Sequence, residues 1–409
     1  MMLRKTQVAA AVGGALLLVG SAVQAQAPAG VVGAQPGINV QLYGQVSRAM
    51  MYADDGFNNK WFFVDGQPSS TRFGINATGT ISPALRVGAR IETEMKSNPS
   101  DVVGFGATAP NTPSTGAVSG NVLWAERWLD AYFEGPWGRV NLGQGSGAAD
   151  DVSTIDLSGT GMPNGNCATD WGGGIAFRNA STGAALPGTL ATVGGASGAN
   201  FALGNCNDFE SRYDRVMYTT PTFAGFRAQV SHGQKSAAGE GTEGAIWYSG
   251  RLAGELQAAI GYSKVNVTTD PTATAAGADA RETVGFGVSW LHTSGFNVTL
   301  QATSVSGISG VSPSVDDRTA KYSNLKLGWK FGTAHAVSAD VGVYKDQAQK
   351  GDDGRAIGLG YVWTPVRWTE IYAGYHIFQL DRDANAAGTP LGFDIEDIKV
   401  LAIGTRIRF

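Results

Sequence analysis

From about residue 39 to its last residue the chain alternates apolar side chains with small or polar ones at a period of two, segment after segment. Successive side chains of a strand point to opposite faces, so this period predicts strands with one apolar face each. In one segment Leu256, Ala258, Ile260 and Tyr262 oppose Glu255, Gln257, Gly261 and Ser263. The pattern recurs in Val284, Phe286, Val288, Trp290, in Val337, Ala339, Val341, Val343, and in Ile357, Leu359, Tyr361, Trp363. Sixteen strands are predicted, over 39–52, 70–79, 84–95, 123–134, 138–145, 211–219, 225–232, 244–250, 254–264, 282–292, 295–304, 321–331, 335–345, 354–364, 366–380 and 397–409.

The links between them alternate in length. Long ones cover 53–69, 96–122, 146–210, 233–243, 265–281, 305–320, 346–353 and 381–396; tight ones include Ile81-Ser-Pro83, Pro136-Trp137, Thr293-Ser294 and Thr364-Pro365. An even strand count with this alternation predicts an all-β fold, an antiparallel transmembrane β-barrel of about 16 strands with short periplasmic turns and long extracellular loops. Closure is required because unpaired backbone N–H and C=O groups each cost several kcal/mol in hydrocarbon. Trp247-Tyr248, Trp290, Trp329, Phe331, Trp363 and Trp368 sit near segment ends, where interfacial girdles are expected.

Charged residues make up only 16 % of the chain and hydrophobic ones 43 %, while the 58 glycines are about twice the usual share. That composition excludes disorder and collagen. Arg4-Lys5, the apolar run from Val8 to Val23 and the small residues of Ala22-Val-Gln-Ala25 predict an export signal over 1–25, with cleavage after Ala27 equally compatible. Residues 26–409 then form a single barrel domain, without an apolar run long enough for a spanning helix. Without the signal, 28 Lys and Arg face 34 Asp and Glu, a charge of −6 that gives no nucleic-acid footprint. In an oxidising compartment Cys167 and Cys206, both in one Gly/Asn/Ser-rich stretch, are read as a disulfide. A metal pair is disfavoured, since neither cysteine has a His or Cys at ligand spacing.

Several motifs in order resemble the general trimeric porins of Gram-negative outer membranes. They are Val40-Gln-Leu-Tyr-Gly44, Ser70-Thr-Arg-Phe-Gly74, Leu142-Gly-Gln144, Tyr218-Thr-Thr-Pro-Thr-Phe-Ala-Gly-Phe226 and the terminal Phe409. The resemblance implies a homotrimer in the outer membrane, with the third long loop folded into each lumen as a constriction. Ions and small hydrophilic solutes diffuse through such a pore. It also implies that Phe409 is part of the signal read by the barrel-assembly machinery. Two departures stand out. The link 146–210 is much longer than the family's third loop, so only its first part, to about Asp170, is expected at the constriction, with the cysteine-bearing remainder a lid or a trimer contact. The segment Arg127–Glu134 does not alternate cleanly, and Leu129 falls where the family often has a lumenal Arg.

A pore selects by its width and by the charges at its narrowest point. Strand parity places Arg72, Arg90 and Arg215 on the lumenal face as a basic wall, with Arg86, Glu92 and Arg139 as further lining and Arg212 near the loop junction. Asp150, Asp151 and Asp156 would face them from the in-folded loop. Opposed charges of this kind set up a transverse field that orients dipolar solutes. The sign of the ion preference stays open at this level. The function expected is a general diffusion porin, the alternative a substrate-specific channel with Trp61-Phe-Phe63 as a stacking platform in the first loop. No enzyme is expected, as a G-x-S-x-G elbow is missing. The run Gly143-Gln-Gly-Ser-Gly-Ala148 has no βαβ context for a nucleotide. His232, His292, His335 and His376 are scattered, so neither metal nor cofactor is expected.

Overall fold

A computed structural model describes residues 37–105, 123–191, 201–236, 239–267, 280–307, 318–384 and 388–409. The export signal expected over 1–25 lies outside the described residues. The strands are β1 (Ile38–Asp54), β2 (Asn59–Asp65), β3 (Arg72–Ser82), β4 (Leu85–Lys96), β5 (Leu123–Gly135), β6 (Gly138–Ser146), β7 (Arg178–Asn179), β8 (Arg212–Thr219), β9 (Phe226–Ser236) and β10 (Gly239–Arg251). They continue with β11 (Gly254–Val267), β12 (Ala280–His292), β13 (Phe296–Ser306), β14 (Ala320–Phe331), β15 (His335–Lys345), β16 (Asp353–Val366), β17 (Thr369–Asp381), β18 (Ile395–Glu396) and β19 (Ile398–Arg408).

Seventeen of these strands form one antiparallel sheet that closes on itself. β2 and β3 lie end to end against the same side of β1, which pairs Arg48 to Asp54 with β2 and Ile38 to Gln45 with β3. They therefore count as one stave, and 17 − 1 gives the sixteen staves of the barrel. β19 closes the ring on β1 from Gln45↔Arg408 to Asp54↔Lys399, and Gly44 and Phe409 exchange two further backbone hydrogen bonds of 2.9 Å. With this closure the barrel has no sheet edge left unpaired along the seam.

The alternation has the physical consequence expected of it. In β14, Leu325, Leu327 and Trp329 are exposed on the outside, while Tyr322, Asn324 and Lys326 are buried inside. Large apolar side chains point outward in the same way from almost every stave, among them Leu42, Phe133, Ile260, Phe286, Leu359 and Ile403. Such a surface would be costly in water and is favourable in hydrocarbon.

Two expected links are corrected. The link expected over 53–69 contains β2, whose Trp61 and Phe63 point outward while Phe62 is buried. A stacking platform inside the channel is therefore not available from Trp61-Phe-Phe63. The link expected as long over 233–243 is tight, because β9 runs to Ser236 and β10 starts at Gly239. Glycines and polar residues at those strand ends hide the continuing pairing, which needs backbone groups rather than apolar side chains.

Candidate functional site

The segment between β6 and β8 turns into the barrel and is nailed to the inner wall in chain order. Ala148 N–H donates to Ser231 Oγ on β9 at 2.8 Å, and Leu157 N–H to Ser289 Oγ on β12 at 2.9 Å. Lys326 of β14 donates to Asp156 Oδ2 at 2.9 Å, Thr160 shares a hydroxyl hydrogen bond of 2.6 Å with Ser338 of β15, and His376 of β17 lies 2.8 Å from Pro163 O. Inward glycines make room for this bed. A Cβ on Gly287 would stand 2.1 Å from Val152 O, and one on Gly374 2.3 Å from Pro163 O.

Beyond Pro163 the loop builds an apolar core of its own inside the barrel. Trp171, Ile175, Phe177, Leu190 and Leu203 pack on Met51 of β1, Val64 of β2, Tyr372 and Phe378 of β17 and Val400 of β19. Cys167 and Cys206 are joined by a disulfide across this core. Arg178 pairs with Asp55, and β7 with β18. The returning limb runs back under Thr303 and Arg281, which bond Cys206 O at 3.1 Å and Glu210 Oε2 at 2.5 Å. The cysteine-bearing remainder thus fills the lumen with its apolar side chains and, at Arg178–Asn179, meets the long links at the barrel mouth.

These anchors fall on β9 to β17, β19, β1 and β2, and none of them on β3 to β6. Among the described residues, the inner faces of β3 to β6, with β8 at their margin, form the sector of the wall that carries none of these anchors. Charged side chains line that sector. Glu92 sits at the centre, receiving Arg90 Nη2 at 2.6 Å, Arg127 Nε at 2.8 Å and the Tyr43 hydroxyl at 2.8 Å, with Arg72 Nη1 at 3.8 Å. Arg72 is steadied by Ser69 Oγ at 2.8 Å and Ser70 O at 3.1 Å. The Arg90 guanidinium stands 4.2 Å from the Trp128 ring centre, and Arg139 3.5 Å from that of Tyr132. Arg86 reaches Glu134 at 3.7 Å, nearer the short-turn end of the barrel.

Arg127 is a lumenal cation that strand parity does not find. The β4–β5 register slips between Glu92↔Trp128 and Thr93↔Glu126, which leaves Arg127 as the extra residue of a bulge. Arg127 and Trp128 therefore both turn inward, and Leu129, exposed at 54 %, faces out. A bulge re-aims a side chain in this way, and the break in alternation over Arg127–Glu134 was its only trace in the sequence. The cation missing at Leu129 is supplied by Arg127, which also donates to Glu94 Oε2 at 2.8 Å.

Two expected members are placed differently. Arg215 has lumenal parity, but its side chain is wholly buried, donating to Gly143 O at 2.6 Å, Ser146 O at 2.8 Å and Asp130 Oδ2 at 3.2 Å. It fastens the loop's departure from the wall. Asp156 is held by Lys326 at 2.9 Å on the far side of the barrel. Burial alone would raise its carboxyl, and Lys326 more than offsets this, leaving it below the usual range. Asp150 and Asp151 form a cluster of carboxylates with Asp208 of the returning limb.

Asp151 is exposed and feels the charges of Arg212 and Arg127. The neighbouring charge of Asp150 nevertheless pushes its carboxyl up to about 6. Asp208 is raised well above the carboxylate range, first by burial and then by Asp150 and Asp151. Above its pKa Asp151 is an anion and below it is neutral. Acidification from about pH 7.5 to about pH 5, in chelator-containing buffer, is therefore expected to move the reversal potential of the channel toward anions. An unmoved reversal potential would take Asp151 off the ion path.

A family model for Gram-negative porins matches residues 9–383. No curated protein sequence matches. Among solved structures, the anion-selective porin from Comamonas acidovorans is similar at 17 % identity and a TM-score of 0.61, covering 91 % of this chain and 100 % of that one. OmpF of Salmonella typhi, in complex with daunomycin, is similar at 14 % identity and 0.58, covering 91 % and 98 %. The trimer form of OmpT of Vibrio cholerae is similar at 13 % identity and 0.55, covering 91 % and 100 %. At these identities the structural likeness speaks for the fold, and the family match carries the rest. The chain belongs to the Gram-negative porin family and is a diffusion channel of the outer membrane.

Proposed function

We propose that this porin is a general diffusion channel, working as a homotrimer, in which ions and small hydrophilic solutes pass between the bare sector β3–β6 and the inner edge of the loop. The observation that carries this reading is the gathering of Arg72, Arg90 and Arg127 around Glu92 on the inner wall, together with the charges of Arg212 and Arg127 acting on the loop carboxylate Asp151. A transverse field there favours hydrated, dipolar solutes over apolar ones. A solute-specific channel finds less support, because Trp61 and Phe63 face out of the barrel. A catalytic role finds little either: His232, His292 and His335 are engaged with Thr242, Ser294 and Tyr361 near the barrel surface, and His376 with Pro163 O. The trimer follows the family resemblance and the trimer form known for the Vibrio cholerae neighbour. We assign Phe409, half-exposed at the closing seam, to recognition by the barrel-assembly machinery.

Planar-bilayer recording of the refolded protein tests the reading. Steps arriving in threes are expected, without saturation of current by sugars or organic acids. Arg127→Ala is expected to shift the reversal potential toward cations, since Glu92 and Glu94 then lose their shared partner. A solute that blocks at low concentration would favour the specific channel, and a reversal potential unchanged in Arg127→Ala would remove that arginine from the selective region.

A further inference from the structure

Three carboxylates meet where the loop enters the lumen and where it returns. Asp150, Asp151 and Asp208 each offer an oxygen, and these atoms all lie within 4.8 Å of one another. Ser153 Oγ donates to Asp208 Oδ1 at 2.5 Å and Thr154 Oγ1 to Asp151 Oδ1 at 3.2 Å, which orients two of the three. Asp150 is different. It is only 7 % exposed, and its buried Oδ2 has no hydrogen-bond partner. The nearby guanidinium of Arg215 is taken up by Asp130, Gly143 O and Ser146 O.

A buried carboxylate oxygen without a hydrogen bond, beside two further carboxyl groups, is costly, and a bound cation would offset that cost. The donor set is all oxygen, which suits a hard ion. Calcium accepts several carboxylates in a flexible geometry, whereas magnesium demands near-octahedral order and usually keeps several waters beside only one or two carboxylates. We propose that Asp150, Asp151 and Asp208 form a calcium site that ties the outgoing and returning limbs of the loop together at the edge of the passage. Asp151, being exposed, leaves the ion open to water from the lumen, which completes its shell. Calcium there neutralises the acidic arm of the passage and hands selectivity to the arginines. The electrical consequence rests on the channel reading; the binding itself does not.

The test is calorimetric titration of the EDTA-stripped, refolded protein with CaCl2, beside Asp150→Asn and Asp208→Asn. Each variant is checked for a folded barrel by its heat-modifiable gel mobility. One saturable site per chain, with a Kd on the order of 10⁻⁴ to 10⁻³ M, is expected in the parent and in neither variant. In bilayers at constant chloride, added calcium is expected to move the reversal potential toward anions in the parent only. No saturable site in the folded parent, or a site unaltered in both variants, overturns the proposal. Binding without channels would refute the channel reading alone, and channels without binding would refute the calcium site alone.

Discussion

Glu243→Ala is expected to raise single-channel conductance and open-channel noise while leaving the barrel folded. Glu243 projects inward from β10, is 1 % exposed, and holds both limbs of the loop at once. Its Oε1 accepts the Glu210 N–H at 2.8 Å on the returning limb, and its Oε2 accepts the Ala149 N–H at 3.4 Å on the outgoing one. The Tyr213 hydroxyl lies 3.4 Å from the same Oε2. A hydrogen bond to a buried carboxyl is worth about 0.5–3 kcal/mol, the more the more fully it is charged. The shorter contact to Glu210 dominates, so a loss of roughly 1–3 kcal/mol of loop anchoring is expected. The approach is tight, as a Cβ on Gly147 would stand 1.6 Å from Glu243 Oε2. The staves themselves are held by backbone ladders that the substitution leaves intact. Glu243→Gln keeps one acceptor and should fall between parent and alanine variant. Conductance and noise equal to the parent in both would mean that the loop is held elsewhere.

Reduction of the disulfide is expected to loosen the inner core without opening the barrel. Cys167 and Cys206 are 39 residues apart, and closing a span of that length contributes about 4 kcal/mol through the unfolded loop's entropy. That stabilisation belongs to the inner domain around Trp171, Phe177 and Leu203, since the strands do not depend on it. Limited proteolysis of the folded protein should therefore cut the loop much faster in the presence of a reductant, or in Cys167→Ser, with heat-modifiable mobility of the barrel retained. Equal cutting rates would show that the apolar packing alone fixes the loop.

What could be read from the sequence follows from what each part is made of. All sixteen staves were legible because membrane strands must repeat at period two, and β2 escaped because a short continuation of a stave looks like part of a link. The route of the loop was not legible. Its residues have no period, and its anchors, such as Ser231, Ser289 and Ser338, are ordinary wall hydroxyls until the loop lies on them. Parity assigns a side chain to a face but not to a task, which is why Arg215 reads as a lining residue and turns out to be a fastener. Arg127 was hidden by the bulge that aims it. Asp208 joins Asp150 and Asp151 only through the fold, being far from both along the chain.

Current is expected to flow along β3 to β6 and not along the wall that the loop covers. Arg90→Cys lies on the bare sector, with a partly exposed side chain, and Ser289→Cys lies beneath the loop, at 0 % exposure. With the native disulfide closed, a bulky thiol reagent added to single open channels should cut the current through Arg90→Cys and leave that through Ser289→Cys unchanged. Block at position 289 with none at position 90 would put the current on the wall beneath the loop instead.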